Sequence, residues 1–85
     1  MTYRVELESR ARAELLRLEK TVVSKISDAL DALQSNPRPP GAKKLIAQEG
    51  YRVRKGDYRV LYAIDDAARV VRVYRISHRS DVYRR

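Results

Sequence analysis

Cysteine is absent from the chain, which excludes a disulfide framework and thiolate chemistry and suits a reducing compartment. No apolar run approaches the roughly 18 residues that a membrane span requires, and no secretory leader is visible, so a soluble, cytoplasmic protein without membrane contacts is expected. The usual marks of enzyme sites are missing too. There is no metal-ligand cluster, no glycine-rich phosphate loop and no Ser/His/Asp set at recognisable spacing, so neither metal nor cofactor is expected. Neither glycine nor proline interrupts residues 10–35, a stretch that therefore reads as helical.

What the chain has in excess is positive charge. Its 85 residues carry a formal net charge of +8, and seven of the eight excess charges lie in residues 42–85. A basic half joined to a near-neutral half points to a polyanionic partner, either nucleic acid or an acidic protein, met quickly and in a salt-sensitive way. A chain this short makes one domain, residues 1–85, whose modest core buries about 60 to 65% of the surface exposed when unfolded.

Residues 51–64 organise the rest. Two runs of Tyr, Val, Leu and Ile flank Lys55-Gly56-Asp57, the pattern of a β-hairpin closed by a short loop. Alternation along a strand places Tyr51 and Val53 on one face and Arg52 and Arg54 on the other. The second run is apolar on both faces except at Arg59, as in a central strand that retains one arginine. A sheet face bearing Arg52, Arg54 and Arg59 is a candidate anion site, because three like charges repel unless an anion meets them. Lys43, Lys44 and Lys55 are the basic neighbours counted with it.

Before this hairpin, residues 2–8 alternate Tyr3, Val5 and Leu7 against Arg4, Glu6 and Glu8, a half-buried strand at or near a sheet edge. Ala11, Leu15, Leu18 and Val22 then recur at helical spacing behind a possible Ser9 cap. Val23, Ile26, Leu30 and Leu33 form a second stripe that Thr21 or Ser24 could cap. Two helices are predicted, with one long helix as the alternative. Pro37, Pro39, Pro40 and Gly41 end the helical region, residues 65–68 read as a turn, and residues 69–76 as the last strand. The order strand, helix, helix, strand, strand, strand predicts an α+β fold: a four-stranded antiparallel sheet, the first and last strands opposed, with a helix hairpin packed on one face and the other face open and basic.

His78, Arg79 and Tyr83 remain as chemical candidates. His78, the single histidine, is of the residue type that could pass protons near neutrality, and reads equally well as an incidental polar residue at a strand end. Arg79 could clamp a phosphate or be a solvated surface arginine. Tyr83 could stack on a base, donate its phenolic proton or simply cap the packing. The residues by themselves favour nucleic-acid binding over catalysis.

The ordered set resembles the RelE/ParE toxin superfamily of type II toxin-antitoxin pairs: the strand and helix pair ending at Asn36-Pro37, Tyr51-Arg52-Val53-Arg54, Gly56-Asp57-Tyr58-Arg59-Val60-Leu61-Tyr62, then Ile76-Ser77-His78-Arg79 and Asp81-Val82-Tyr83. The resemblance implies a metal-independent endoribonuclease that cuts mRNA in the ribosomal A site, blocked by an acidic antitoxin through which alone it reaches operator DNA. By the same resemblance Arg59 and Arg79 hold the scissile phosphate, Tyr83 is catalytic, and Arg52, Arg54 and His78 occupy basic positions. The implied reaction is attack by a ribose 2′-hydroxyl on the adjacent phosphate, which excludes DNA. Where relatives often carry lysine this chain has Arg52 and Arg54, which stabilise charge but do not accept a proton. Proton transfer is then expected from His78 or Tyr83. A ParE-like gyrase inhibitor without nuclease activity, and an inactive relative, are the alternatives on the same fold.

Overall fold

The computed structural model describes residues 2–80. Its first strand, β1 (Arg4–Leu7), follows the alternation: Val5 and Leu7 turn inward, while Arg4 and Glu6 stay outside and pair at 2.8 Å. The chain then enters two helices, α1 (Ser9–Leu16) and α2 (Lys20–Ser35). The expected caps are displaced. Ser9 is already the first helical residue, because the Glu8 N–H still donates to the Val73 carbonyl at 2.8 Å, which holds Glu8 extended and makes it the N-cap. Glu19, likewise extended, takes this position for α2, ahead of Thr21 and Ser24. A single helix over residues 9–35 would run roughly 40 Å, longer than the molecule's largest extent of 34 Å. The break between the helices lets them lie over the sheet.

Four more strands follow: β2 (Lys43–Lys44), β3 (Tyr51–Lys55), β4 (Tyr58–Asp65) and β5 (Val70–His78). They form a five-stranded mixed sheet in the order β1-β5-β4-β3-β2. This corrects the four-stranded antiparallel expectation. The two-residue strand β2 adds one reversal of direction before β3, and that reversal is inherited by every later strand, so β5 runs parallel to β1 instead of opposite to it.

The α+β layering stands as expected. Ile26, Leu30 and Leu33 of α2 and Ala11 of α1 pack on Val60, Tyr62, Val71, Val73 and Ile76. Full burial of an aliphatic side chain of this size stabilises by about 1.5 to 3 kcal/mol. The proline loop is tied to the sheet through Tyr62, whose hydroxyl donates to the Pro37 carbonyl at 2.7 Å. Arg38 pairs with Asp66 at 2.9 Å and lies 5.4 Å from the centre of the Tyr51 ring. Among the described residues no helix is long and apolar enough to cross a membrane.

Candidate functional site

The face of the sheet turned away from the helices carries the arginines, and a two-residue loop sets their register. Gly56 has φ +59°, a conformation that costs glycine nothing and matches the first position of a tight hairpin turn. With Gly56 and Asp57 as the loop, Lys55 pairs with Tyr58 and Arg54 falls directly opposite Arg59. Arg52 lies two residues back along β3 on the same face, and Lys43 of β2 lies opposite Arg52. Burial, reinforced by the charges of Arg54 and Arg59, holds the Arg52 guanidinium below its ordinary value. Lys44, opposite Tyr51, and Lys55, opposite Tyr58, project towards the other face.

A second device brings in Arg79. Between Leu61 and Tyr62 the pairing of β4 with β5 slips by one residue, leaving Tyr74 as an extra residue on β5. Upstream of the slip Val71 and Val73 point into the core; downstream Ile76 does, opposite Val60. An unbroken alternation would have turned Ser77 and Arg79 inward with Val73. The bulge instead places Ser77 opposite Arg59, and the Arg79 N–H continues the ladder by donating to the Asp57 carbonyl at 2.7 Å.

Arg54, Arg59 and Arg79 consequently line one cleft of about 200 Å³, together with Gly56, Asp57 and Tyr58. The Nε of Arg59 is buried and has no protein hydrogen-bond partner among the described residues. A buried donor without an acceptor costs about 1 to 3 kcal/mol. Three guanidinium groups around one cleft, one of them with an unused donor, can offer a phosphate-sized anion several charge-assisted hydrogen bonds.

His78 is not brought into this cleft. Opposite Tyr58 in the register, it falls on the face away from Arg59 and Arg79, and its ring meets the Tyr58 ring edge to face at 5.1 Å. Its Nδ1 accepts from the Ser80 N–H at 3.1 Å and lies 2.8 Å from the Ser80 hydroxyl, which leaves the proton of the neutral ring on Nε2. Tyr83 lies outside the described residues. Asp57, read from the sequence only as a turn residue, lines the cleft. A further contact was beyond sequence reasoning: Glu14 of α1 accepts from the Ile76 N–H at 2.7 Å and from Arg75 Nε at 2.8 Å, covering β5 where β1 no longer pairs with it. Its partners are 61 and 62 residues away, and no local pattern signals them. Among the described residues no three His, Asp or Glu side chains gather to hold a metal ion.

Comparison with known proteins yields a consistent set of similarities. Residues 5–83 match the family described as the ParE toxin of type II toxin-antitoxin system, parDE. The chain is 33% identical over 87 residues to Toxin RelG of Mycobacterium tuberculosis, with 100% of each covered. It is 37% identical over 84 residues to Toxin RelE of the same organism, covering 96% of this chain and 87% of that protein. Among solved structures, one chain of the toxin-antitoxin complex RelBE2 from Mycobacterium tuberculosis superposes with a TM-score of 0.83 at 28% identity, covering 93% of this chain and 100% of that one.

Proposed function

The chain belongs to the RelE/ParE superfamily and is a RelE-like toxin of a type II toxin-antitoxin system, and from that premise we propose that it is a metal-independent endoribonuclease acting on mRNA held in the ribosomal A site. One observation carries the reading: Arg54, Arg59 and Arg79 line a single cleft in which the Arg59 Nε has no partner among the described residues. In the proposed reaction the 2′-hydroxyl oxygen attacks the adjacent phosphorus. The phosphorane that forms carries more negative charge than the starting diester, and fixed guanidinium groups stabilise it more than the ground state. Arg52 and Lys43 guide the flanking RNA backbone towards the cleft, while Lys44 and Lys55, on the other face of the sheet, add only to the positive field that attracts it. Tyr83 serves as proton donor to the leaving oxygen, the ribosome orients the message, and His78 acts indirectly, by bracing Tyr58 and the turn through Ser80 that leads out of Arg79.

The partner implied is a cognate acidic antitoxin, in keeping with the toxin-antitoxin complex to which the fold is similar; its carboxylates meet the basic sheet half. The experiment is cleavage of mRNA on programmed ribosomes by the parent, Arg59→Ala and Arg79→Ala proteins. Removing one donor to the transition state is expected to lower the rate by about 10² to 10³, and growth arrest on induction should vanish with it. Parent-like rates in both variants would show that the cleft is not the site. The match to the family named for ParE favours one second reading, inhibition of DNA gyrase without RNA chemistry. Loss of supercoiling activity with purified toxin, together with intact message, would select it.

A further inference from the structure

Cleavage by a 2′-hydroxyl needs a group that accepts its proton, and the arginines around the cleft cannot do so at any physiological pH. His78 faces the other side of the sheet, opposite Tyr58. Of the described residues lining the cleft, Asp57 alone carries a carboxylate. Its position is set by the same ladder that sets the arginines: it occupies the two-residue hairpin loop, and its carbonyl holds the Arg79 N–H at 2.7 Å. Its carboxylate makes no hydrogen bond or ion pair with any described residue, although Arg54 from β3, Arg59 from β4 and Arg79 beyond β5 share the cleft with it. Tyr58 follows it directly and Lys55 lies two residues before it, and His78 stands behind Tyr58. A hairpin aspartate that served only the turn would be expected to bond its own backbone, as Asp65 does in accepting from the Ala68 N–H.

We propose that Asp57 is the proton acceptor for the attacking 2′-hydroxyl, an inference that rests on the nuclease reading of this cleft. As the 2′-oxygen forms its bond to phosphorus, its proton passes to an Asp57 carboxylate oxygen. The bond from phosphorus to the 5′-oxygen breaks, and its electron pair leaves on that oxygen, which takes a proton from its donor. The products are a 2′,3′-cyclic phosphate and a 5′-hydroxyl. Asp57 then releases its proton to water, and no oxidant or reductant is consumed. The three guanidinium groups hold the diester so that its neighbouring hydroxyl lies towards the loop.

The test is single-turnover cleavage of mRNA on programmed ribosomes by the full chain, followed as a function of pH for the parent, Asp57→Asn, Asp57→Glu and Arg59→Ala. Asp57→Asn is expected to lower the rate about 10² to 10³-fold, within the range typical of a lost general base. It should also abolish the fall in rate on the acid side of the profile, while binding to the ribosome with undiminished affinity. Asp57→Glu should recover part of the rate and retain the acid-side fall. A rate for Asp57→Asn within about threefold of the parent, with the acid-side fall unchanged, overturns the proposal. If Arg59→Ala is then inactive, the nuclease reading survives and only the role of Asp57 is wrong; if Arg59→Ala is also parent-like, both are wrong. A rate loss in Asp57→Asn with an unaltered pH profile would make Asp57 a positioning residue and likewise refute its role as base.

Discussion

Replacing Gly50 by alanine should be among the most damaging single changes available to this chain, and its cost can be worked from the geometry. Gly50 immediately precedes β3 with φ +103°, and a methyl group placed there would stand 2.0 Å from the Tyr62 carbonyl oxygen and 2.9 Å from its carbon. A carbon and a carbonyl oxygen approach no closer than about 3.3 Å, so one of the two backbones must move by more than 1 Å. The oxygen belongs to β4, which is held between β3 and β5 and carries the buried Tyr62 ring. Gly50 is the piece that yields, which disturbs the first β3 to β4 pair, Tyr51 with Tyr62, and the Leu45 N–H bond to the Gly50 carbonyl. Backbone strain of about 1 to 3 kcal/mol and one or two hydrogen bonds at about 1 kcal/mol each sum to roughly 2 to 5 kcal/mol. That is a large part of the 5 to 15 kcal/mol typical of a folded domain. Gly56→Ala provides the control, since Gly56 also has positive φ but nothing lies within 4 Å of the added methyl, so only the left-handed penalty of about 1 to 2 kcal/mol applies. Urea denaturation followed by circular dichroism, with both substitutions made in the Arg59→Ala background to spare the host, measures the two costs side by side. Equal losses would refute the steric argument.

Three other outcomes follow from contacts already described. Tyr62→Phe removes the donor to the Pro37 carbonyl and should cost about 1 to 2 kcal/mol at neutral pH. Burial pushes the Tyr62 phenol up to about 12; the unfolded chain ionises near pH 10 while the folded one resists, so the parent should lose roughly 2 to 3 kcal/mol between pH 10 and 12 that Tyr62→Phe does not lose. An identical alkaline decline in both proteins would contradict this. At the acid end, the Arg38 guanidinium and the Tyr3 hydroxyl hold the Asp66 carboxyl below its ordinary range. Its contribution is present above the unfolded carboxylate pKa and fades as pH falls through the folded value, so the stability gap between parent and Asp66→Asn should close on acidification; a gap constant down to pH 2 would rule this out. Glu14→Ala strips the acceptor from the partly buried Ile76 N–H and should cost about 2 kcal/mol. Glu14→Gln keeps an acceptor oxygen and should recover much of that loss in the same unfolding measurement.

The arginine face was readable from the sequence because it depends on parity alone. Residues 52 and 54 share a face whatever the sheet does, and a two-residue loop at Gly56-Asp57 places Arg59 opposite Arg54. Parity also held a warning about His78. As the immediate neighbour of Arg79 in an extended segment, it was bound to fall on the other face. The two features that defeated the sequence reading are those without a periodic signature. Lys43 and Lys44 are too few to show alternation, yet they reverse the sense of every later strand. The bulge opposite Leu61 is hidden in a run with apolar residues on both sides, where a slip of one residue leaves the pattern looking like a continuous buried strand. Two helices were expected and are found, but the position of the break was poorly marked, since Leu15, Leu18 and Val22 keep helical spacing straight across it.

The bulge explains how a fold this small tolerates its own cleft. Without it Arg75, Ser77 and Arg79 would face the helices, and charge would enter the core beside Val73 and Tyr62. With it Ile76 restores the apolar side, Arg75 is delivered to Glu14, and Arg79 joins Arg54 and Arg59 outside. The slip thus turns one strand into a core element over its first half and a site element over its last residues. What remains unfavourable is concentrated at one place: like charges directly opposite in the ladder and a buried guanidinium donor without a partner among the described residues. Local conflicts of this kind persist where a ligand resolves them. An anion that meets all three arginines removes the repulsion and supplies an acceptor together, so the features that weaken the free fold are the ones that favour binding of an anion.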